Sequence, residues 1–234
     1  MKDKYANFAQ LVSSEPEGSY RIALCQRGSA IALIAPHAGR IGVGISEICR
    51  SVAGKDLTYY LFEGCKPDNN ADLHISSSRF DEPQGLEVAK SAQIVATIIH
   101  CRSGRELFIN VGGLASQLVY TTTDILRRGG YAVGRHIKPA LRGLDQGDIC
   151  NRGSTGQGLQ LELSHGLRRK LIADADEMER FSTVLRAAFR KHIALMDSVS
   201  RHRSIQRIQT TDSGNRDCQQ RNLCPSADPA LTPE

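Results

Sequence analysis

Two histidines occupy the same kind of position in the chain. His37 follows the apolar run IALIA in IALIAPHAGRIGVGISEI, and His100 closes the run IVATII in ATIIHCRSG. A histidine at the end of a buried strand is held rigidly while its ring stays accessible, as a metal ligand must be. Neutral imidazoles are common zinc ligands, and a catalytic zinc takes three protein ligands and keeps one position open. Gly39, Gly42 and Gly44, just after the first histidine, let the backbone approach such a centre closely. A single histidine in a strand-to-helix loop is more often merely polar. The pair gains weight only from its surroundings.

The surroundings hold further chemistry. In LQLELSHGLR, Leu159, Leu161 and Leu163 point one way, and Gln160, Glu162 and Ser164 the other. A carboxylate between leucines must be paired, hydrogen-bonded or working. Beside a metal-bound water, Glu162 would serve as general base; the ordinary alternative is a salt bridge to Arg168 or Arg152. Asn151 and Arg152, in the Gly-rich stretch DICNRGSTGQG, suit a substrate carboxylate, which arginine grips with two parallel hydrogen bonds. His74, Arg79 and Asp81 in DLHISSSRFDEP are candidates for the same cleft. Against this, Arg79 and Asp81 would make a plain surface pair, and 148–158 a plain loop.

The elements that must position these residues alternate between strand and helix patterns, which predicts an α/β domain. Strands are predicted at 20–24, 30–35, 57–63, 73–76, 94–100, 107–111, 131–137 and 159–164. The runs IALIA and IVATII are apolar throughout, as central strands covered on both faces are. Helices are predicted at 46–53, with Ser46 as N-cap and Gly54 as stop, at 116–128, ended by Gly129 and Gly130, and at 174–196. The last carries Met178, Phe181, Leu185, Phe189 and Met196 at helical spacing, acidic residues first and basic residues last. A globular domain over 1–197 is therefore predicted, followed by a polar, Pro-ended, disordered tail over 198–234.

Composition sets outer bounds. The chain has 234 residues, 40% hydrophobic and 24% charged, with a net charge of +5. That allows one aliphatic core and a mild attraction for acidic ligands. No basic run interleaves with aromatics, so nucleic acid is not a predicted partner. No run approaches about 18 apolar residues, so no membrane span is predicted. The opening MKDKYANFAQLVSSEPEG has no apolar leader segment, which predicts a cytoplasmic protein. The seven cysteines are scattered without a CxxC pair and read as reduced thiols.

In this order, PHAGRIGVGISEI, YLFEG, LHISSSRFDEP, IIHCRSG with NVGG, and NRGSTGQGLQLELSHGLR resemble the phage-type poly-γ-glutamate hydrolases. The resemblance runs from about Ala35 to Arg168. It implies a single open mixed α/β sheet with flanking helices, similar to zinc carboxypeptidases, and a zinc-dependent cut of γ-glutamyl amide bonds. It implies His37 and His100 as zinc ligands, Glu162 as the catalytic carboxylate and poly-γ-glutamate, or a related acidic γ-glutamyl substrate, as partner. A phage or prophage origin follows from the same likeness, with release on lysis. By analogy with zinc carboxypeptidases, Asn151 and Arg152 would hold a substrate carboxylate.

The chain departs from the family loop P-H-G-G-x-I-E-P-G-x-S-E. The glutamate that serves there as third zinc ligand is Gly42 here; Val43 replaces the proline, Ala38 a glycine, and Cys101 the glycine after the second ligand. Glu47 matches the later glutamate of the loop and could substitute only by a loop rearrangement. Two histidines alone would hold zinc poorly. The alternative reading is thus a non-catalytic relative that binds polyglutamate or has lost its function. On the simplest view, Gly42→Glu would restore both metal and rate.

Overall fold

The computed structural model describes residues 3–101 and 104–219, the side chains of 199–219 excepted. The chain divides into two compact units, Met1–His192 and Ile193–Glu234. In the first, seven strands make one sheet: β1 (Tyr20–Cys25), β2 (Ile31–Gly39), β3 (Thr58–Gly64), β4 (Ile94–His100), β5 (Ile109–Gly112), β6 (Val133–Gly134) and β7 (Leu159–Leu163). Their spatial order is β1-β3-β2-β4-β7-β5-β6. The β1–β3 and β5–β7 pairs are antiparallel and the other four parallel, so the sheet is mixed and open, as predicted.

Central β2 and β4 are aliphatic because both faces are covered. Ala32, Ile34, Tyr60, Phe62 and Val95 pack with Leu73, Ile75, Phe80, Val88 and Ile149. That face carries α1 (Phe8–Ser14) and α3 (Pro83–Ser91). The opposite face carries Ile31, Leu33, Ala96, Ile98, Leu159, Leu161 and Leu163, all essentially inaccessible. The remaining helices are α2 (Ile45–Ala53), α4 (Ser116–Arg128), α5 (His165–Ala173) and α6 (Ala175–Gln219). Among the described residues no helix is long and apolar enough to cross a membrane.

Several predicted elements change. The segment predicted as a strand over 73–76 is instead the end of a 3-10 turn, Asn70–Leu73, followed by irregular chain. Leu73 and Ile75 are buried, which imitates a strand's alternation, but His74 N bonds to Ala71 O and Ser76 N to the Asp3 carboxylate. The strand predicted over 131–137 shrinks to Val133–Gly134, since β5 offers only Ile109 and Asn110 as partners. Helix α2 is capped by Gly44 at φ 89°, and Ser46 is inside it, its hydroxyl accepting from Gly39 N at 3.0 Å. Helix α6 is helical from Ala175 to Gln219, beyond the 174–196 expected. The rest of the segment expected to be a tail, 220–234, lies outside the described residues.

Candidate functional site

His37 owes its place to a bulge. Ala35 pairs with Leu61 and Ala38 with Glu63, so three steps along β2 match two along β3. Pro36 lies in that gap, where its lack of an N–H does no harm to the ladder. The extra residue resets the alternation and turns His37 towards the face of Ile75. There the ring is buried, and its Nε2 is 2.7 Å from Ile75 O. A carbonyl only accepts, so Nε2 carries the proton and Nδ1 keeps the lone pair. Burial first, and then the neighbouring His74, push the His37 pKa well below the ordinary histidine value, so the ring is neutral.

The three histidines cluster. His74 stacks on His37 with ring centres 4.0 Å apart and planes 18° from parallel, and His100 stands edge-on to His37 at 6.1 Å. His100 Nδ1 faces the 39–44 loop: a Cβ on Gly42 would lie 2.6 Å from it and 2.4 Å from His37 O. The loop backbone is thus closed against both histidines.

His74 and Arg79 meet at Asp3, which no motif marks. Asp3 accepts from His74 Nδ1 at 2.8 Å, from Ser76 N at 2.8 Å and from the Ser76 hydroxyl at 2.6 Å, and it pairs with Arg79. Asp81 accepts instead from Phe8 N at 2.7 Å, at the start of α1, so the Arg79–Asp81 surface pair does not form. The Ser76–Arg79 turn is joined to the next loop through Ile149 N and Ser77 O, 2.9 Å apart.

In that loop Asn151 is buried with all four of its hydrogen-bonding positions used. Its amide nitrogen donates to Gly143 O at 2.8 Å and Asp145 O at 2.7 Å. Its oxygen accepts from Leu114 N at 3.3 Å and Gly158 N at 3.0 Å. Asn151 therefore holds the loop and has nothing left for a substrate in this arrangement. Arg152 is half-buried; its Nε donates to Gly147 O at 2.8 Å, which fixes the guanidinium plane.

Glu162 is buried in β7 and accepts from Asn110 Nδ2 at 2.8 Å. Register sets it beside Ile99 and Asn110, while His100 is opposite Leu163 and so belongs to the other face by alternation. Arg168 does not pair with Glu162. It donates to Val43 O and, at 3.3 Å, to Cys101 O, tying the loop after His37 to the end of the His100 strand. Asp3 and Asn110 are neighbours that sequence reasoning missed, although Asn110 lies within the NVGG motif; Arg168 is expected from sequence only as a partner for Glu162, and its contacts to the two loops are not.

Zinc, which the fold implies, can be tested against these donors. His37 suits it: an imidazole whose other nitrogen donates to a backbone carbonyl is oriented as metal-binding histidines are. A Zn–N bond of about 2.0–2.1 Å with tetrahedral ligands would set the two ring centres roughly 5.2 Å apart, so rings 6.1 Å apart would have to draw closer to share one ion. His74 does not join them, since near-parallel stacked rings cannot aim their in-plane lone pairs at one point. Glu47 is exposed in the first turn of α2 and lines a pocket that includes neither histidine. Among the described residues no group of three His, Cys, Asp or Glu side chains is arranged to hold a metal. The donor set therefore does not fit a catalytic zinc, and position 42 is where it fails.

The comparisons with known proteins agree with the architecture. Over 83% of this chain and 100% of the other, the structure superposes on a bacteriophage poly-γ-glutamate hydrolase with a TM-score of 0.78 at 26% identity. It superposes on a zinc-free form of YndL with a TM-score of 0.76 at 27% identity, over 81% of this chain and 98% of that one. In sequence it is 33% identical to the SPβ prophage-derived protein YoqZ of Bacillus subtilis strain 168, over 73% of this chain and 62% of YoqZ. It is 34% identical to YmaC of the same strain, over 74% of this chain and 73% of YmaC. The chain thus spans less than two thirds of YoqZ. Residues 5–195 match the family described as poly-γ-glutamate hydrolase, and this chain belongs to that family.

Proposed function

We propose that the protein binds poly-γ-glutamate, or a related acidic γ-glutamyl substrate, beyond the carboxyl ends of its strands, and that zinc-dependent cleavage of the γ-amide is weak or lost. One observation carries this reading. Gly42 supplies no ligand, and the space its side chain would need is taken by His37 O and the His100 ring. Binding survives on other residues. Arg152 presents a fixed guanidinium plane to a substrate carboxylate, and His74 and Arg79 are held by Asp3 on the turn joined to the Arg152 loop. The net charge of +5 favours a polyanion.

A second reading, a zinc-dependent γ-glutamyl hydrolase, is favoured by the His37 tautomer. On that reading His37 and His100 would hold a zinc, with a third ligand still to be supplied, and Glu162, oriented by Asn110, would be placed to accept a proton. One experiment separates the two. Freshly purified full-length protein is assayed for zinc by elemental mass spectrometry, for polymer binding by calorimetry and for polymer shortening by size-exclusion chromatography. The expected result is binding with well under one zinc per chain and no shortening. One zinc per chain with rapid shortening would establish the hydrolase instead, and absence of binding would sink both.

A further inference from the structure

On the other side of the 39–44 loop from the histidines is an open pocket of about 420 Å³, between β1, the carboxyl ends of β2 and β3, and the first turn of α2. That is within the roughly 300–1,000 Å³ of small-ligand sites. Arg21, Arg40 and Arg50 line it, with Glu47, Glu63 and Ser46. Glu63, from the YLFEG motif, is almost wholly buried. It accepts from Arg21 Nε and Nη2 at 2.9 and 2.7 Å and from Arg50 Nη2 at 3.0 Å. One carboxylate bridging two guanidiniums leaves a positive charge over, fixed in place. Arg40 adds another; it is exposed, and its Nη1 is steadied on Lys66 O at 2.8 Å. Gly44 caps α2 without a side chain, so the positive end of that helix also meets the pocket. Glu47 opposes these charges with a single negative one.

We propose that this pocket is a second carboxylate subsite, in which Arg40, backed by the Arg21–Glu63–Arg50 bridge, receives an α-carboxylate of an acidic γ-glutamyl chain at a distance from the histidines. The inference rests on the polyglutamate reading given above. It is favoured over a site for an isolated anion because the pocket is continuous with the loop that walls the histidine cleft. Gly39, Val43 and Gly44 line the pocket, while Gly42 faces His100. A polymer crossing that loop would offer one carboxylate to Arg152 and a later one to Arg40. The pocket thus turns single-residue recognition into recognition of a chain.

The test uses the full-length protein, calorimetry with γ-linked glutamate oligomers, and inorganic phosphate as a competing anion. Arg40→Ala should weaken oligomer binding roughly tenfold, as for one charge-assisted contact. Glu47→Gln should tighten it, and both effects should shrink as salt rises. Arg40 is exposed, so the melting temperature of Arg40→Ala should match the native value. Arg21 and Arg50 are poorer probes, because truncating either strips a partner from buried Glu63. If the native protein binds oligomers and neither variant alters binding, the subsite is refuted and the polymer reading stands. If the native protein binds no oligomer, both fall. If phosphate binds as tightly as the oligomer and displaces it, the pocket is a phosphate site and the carboxylate assignment is overturned.

Discussion

His37 Nε2 and the carbonyl oxygen of Ile75 are 2.7 Å apart, and this contact fixes which nitrogen of the ring bears the proton. The expected outcome is a neutral His37 with Nε2–H and a lone pair on Nδ1, read directly from ¹⁵N shifts of the labelled protein. The Nδ1–H tautomer, or a cationic ring at neutral pH, would show that the bulged end of β2 is built differently.

Asp3 makes the site sensitive to acid. Burial would raise its pKa, but the hydrogen bonds from Ser76 and His74 outweigh this and lower it from 3.8 to about 2. The folded value is below the unfolded one, so the unfolded chain takes up the proton first as pH falls. The stabilisation is complete above about pH 4 and disappears as pH falls through about 2. Asp3→Asn should therefore cost about 1–3 kcal/mol at neutral pH, by leaving buried donors poorly matched. The gap in melting temperature from native protein should close near pH 2. A gap that persists undiminished in acid would mean that the carboxylate charge is not what holds His74 and Ser76.

Asn151 and Arg152 are neighbours with separable roles. Asn151→Ala removes a buried side chain engaged in four hydrogen bonds and should destabilise the fold by about 2–3 kcal/mol. Arg152→Ala should leave the melting temperature nearly unchanged while weakening polymer binding about tenfold. Thermal melts set beside binding isotherms check both. A stable Asn151→Ala that has lost binding would return Asn151 to the substrate.

Much of this arrangement was legible in the sequence, and the rest was not for identifiable reasons. β4 coincides with its predicted bounds, 94–100, because an unbroken apolar run covered on both faces leaves little ambiguity. His37 was legible as a strand-end histidine, but its bulge was not, since one extra residue changes pairing without changing composition. Helices α1, α3 and α5 are not among the predicted helices. α3 begins with Pro83 at its first turn behind the Glu82 cap, and α5 begins directly after β7 on Ser164, which alternation alone assigned to the strand. Asp3 could not be read from the sequence because its partner His74 is 71 residues away, and nothing local distinguishes it from the chain's other aspartates.

Gly42 separates a vacant ligand position from a closed one. If the position were simply vacant, Gly42→Glu would supply the third ligand and a balancing charge, and zinc and rate would rise together. The structure opposes this on steric grounds. A Cβ here would be 2.4 Å from His37 O, a backbone atom of the bulge, and 2.6 Å from His100 Nδ1. The ring can turn aside; the carbonyl can move only with the strand end that carries His37. Even Gly42→Ala should therefore cost about 1–3 kcal/mol, as overpacking does. Gly42→Glu should melt lower than native protein and bind no more zinc. The same variants made with Arg168→Ala, which frees Val43 O and Cys101 O, should recover part of the lost fit by letting the loop withdraw. Melting temperature and zinc content are measured for the native chain, both single variants and both doubles. A Gly42→Glu protein that melts like native and carries one zinc per chain would show that the loop opens easily, and would restore the missing ligand as the whole explanation.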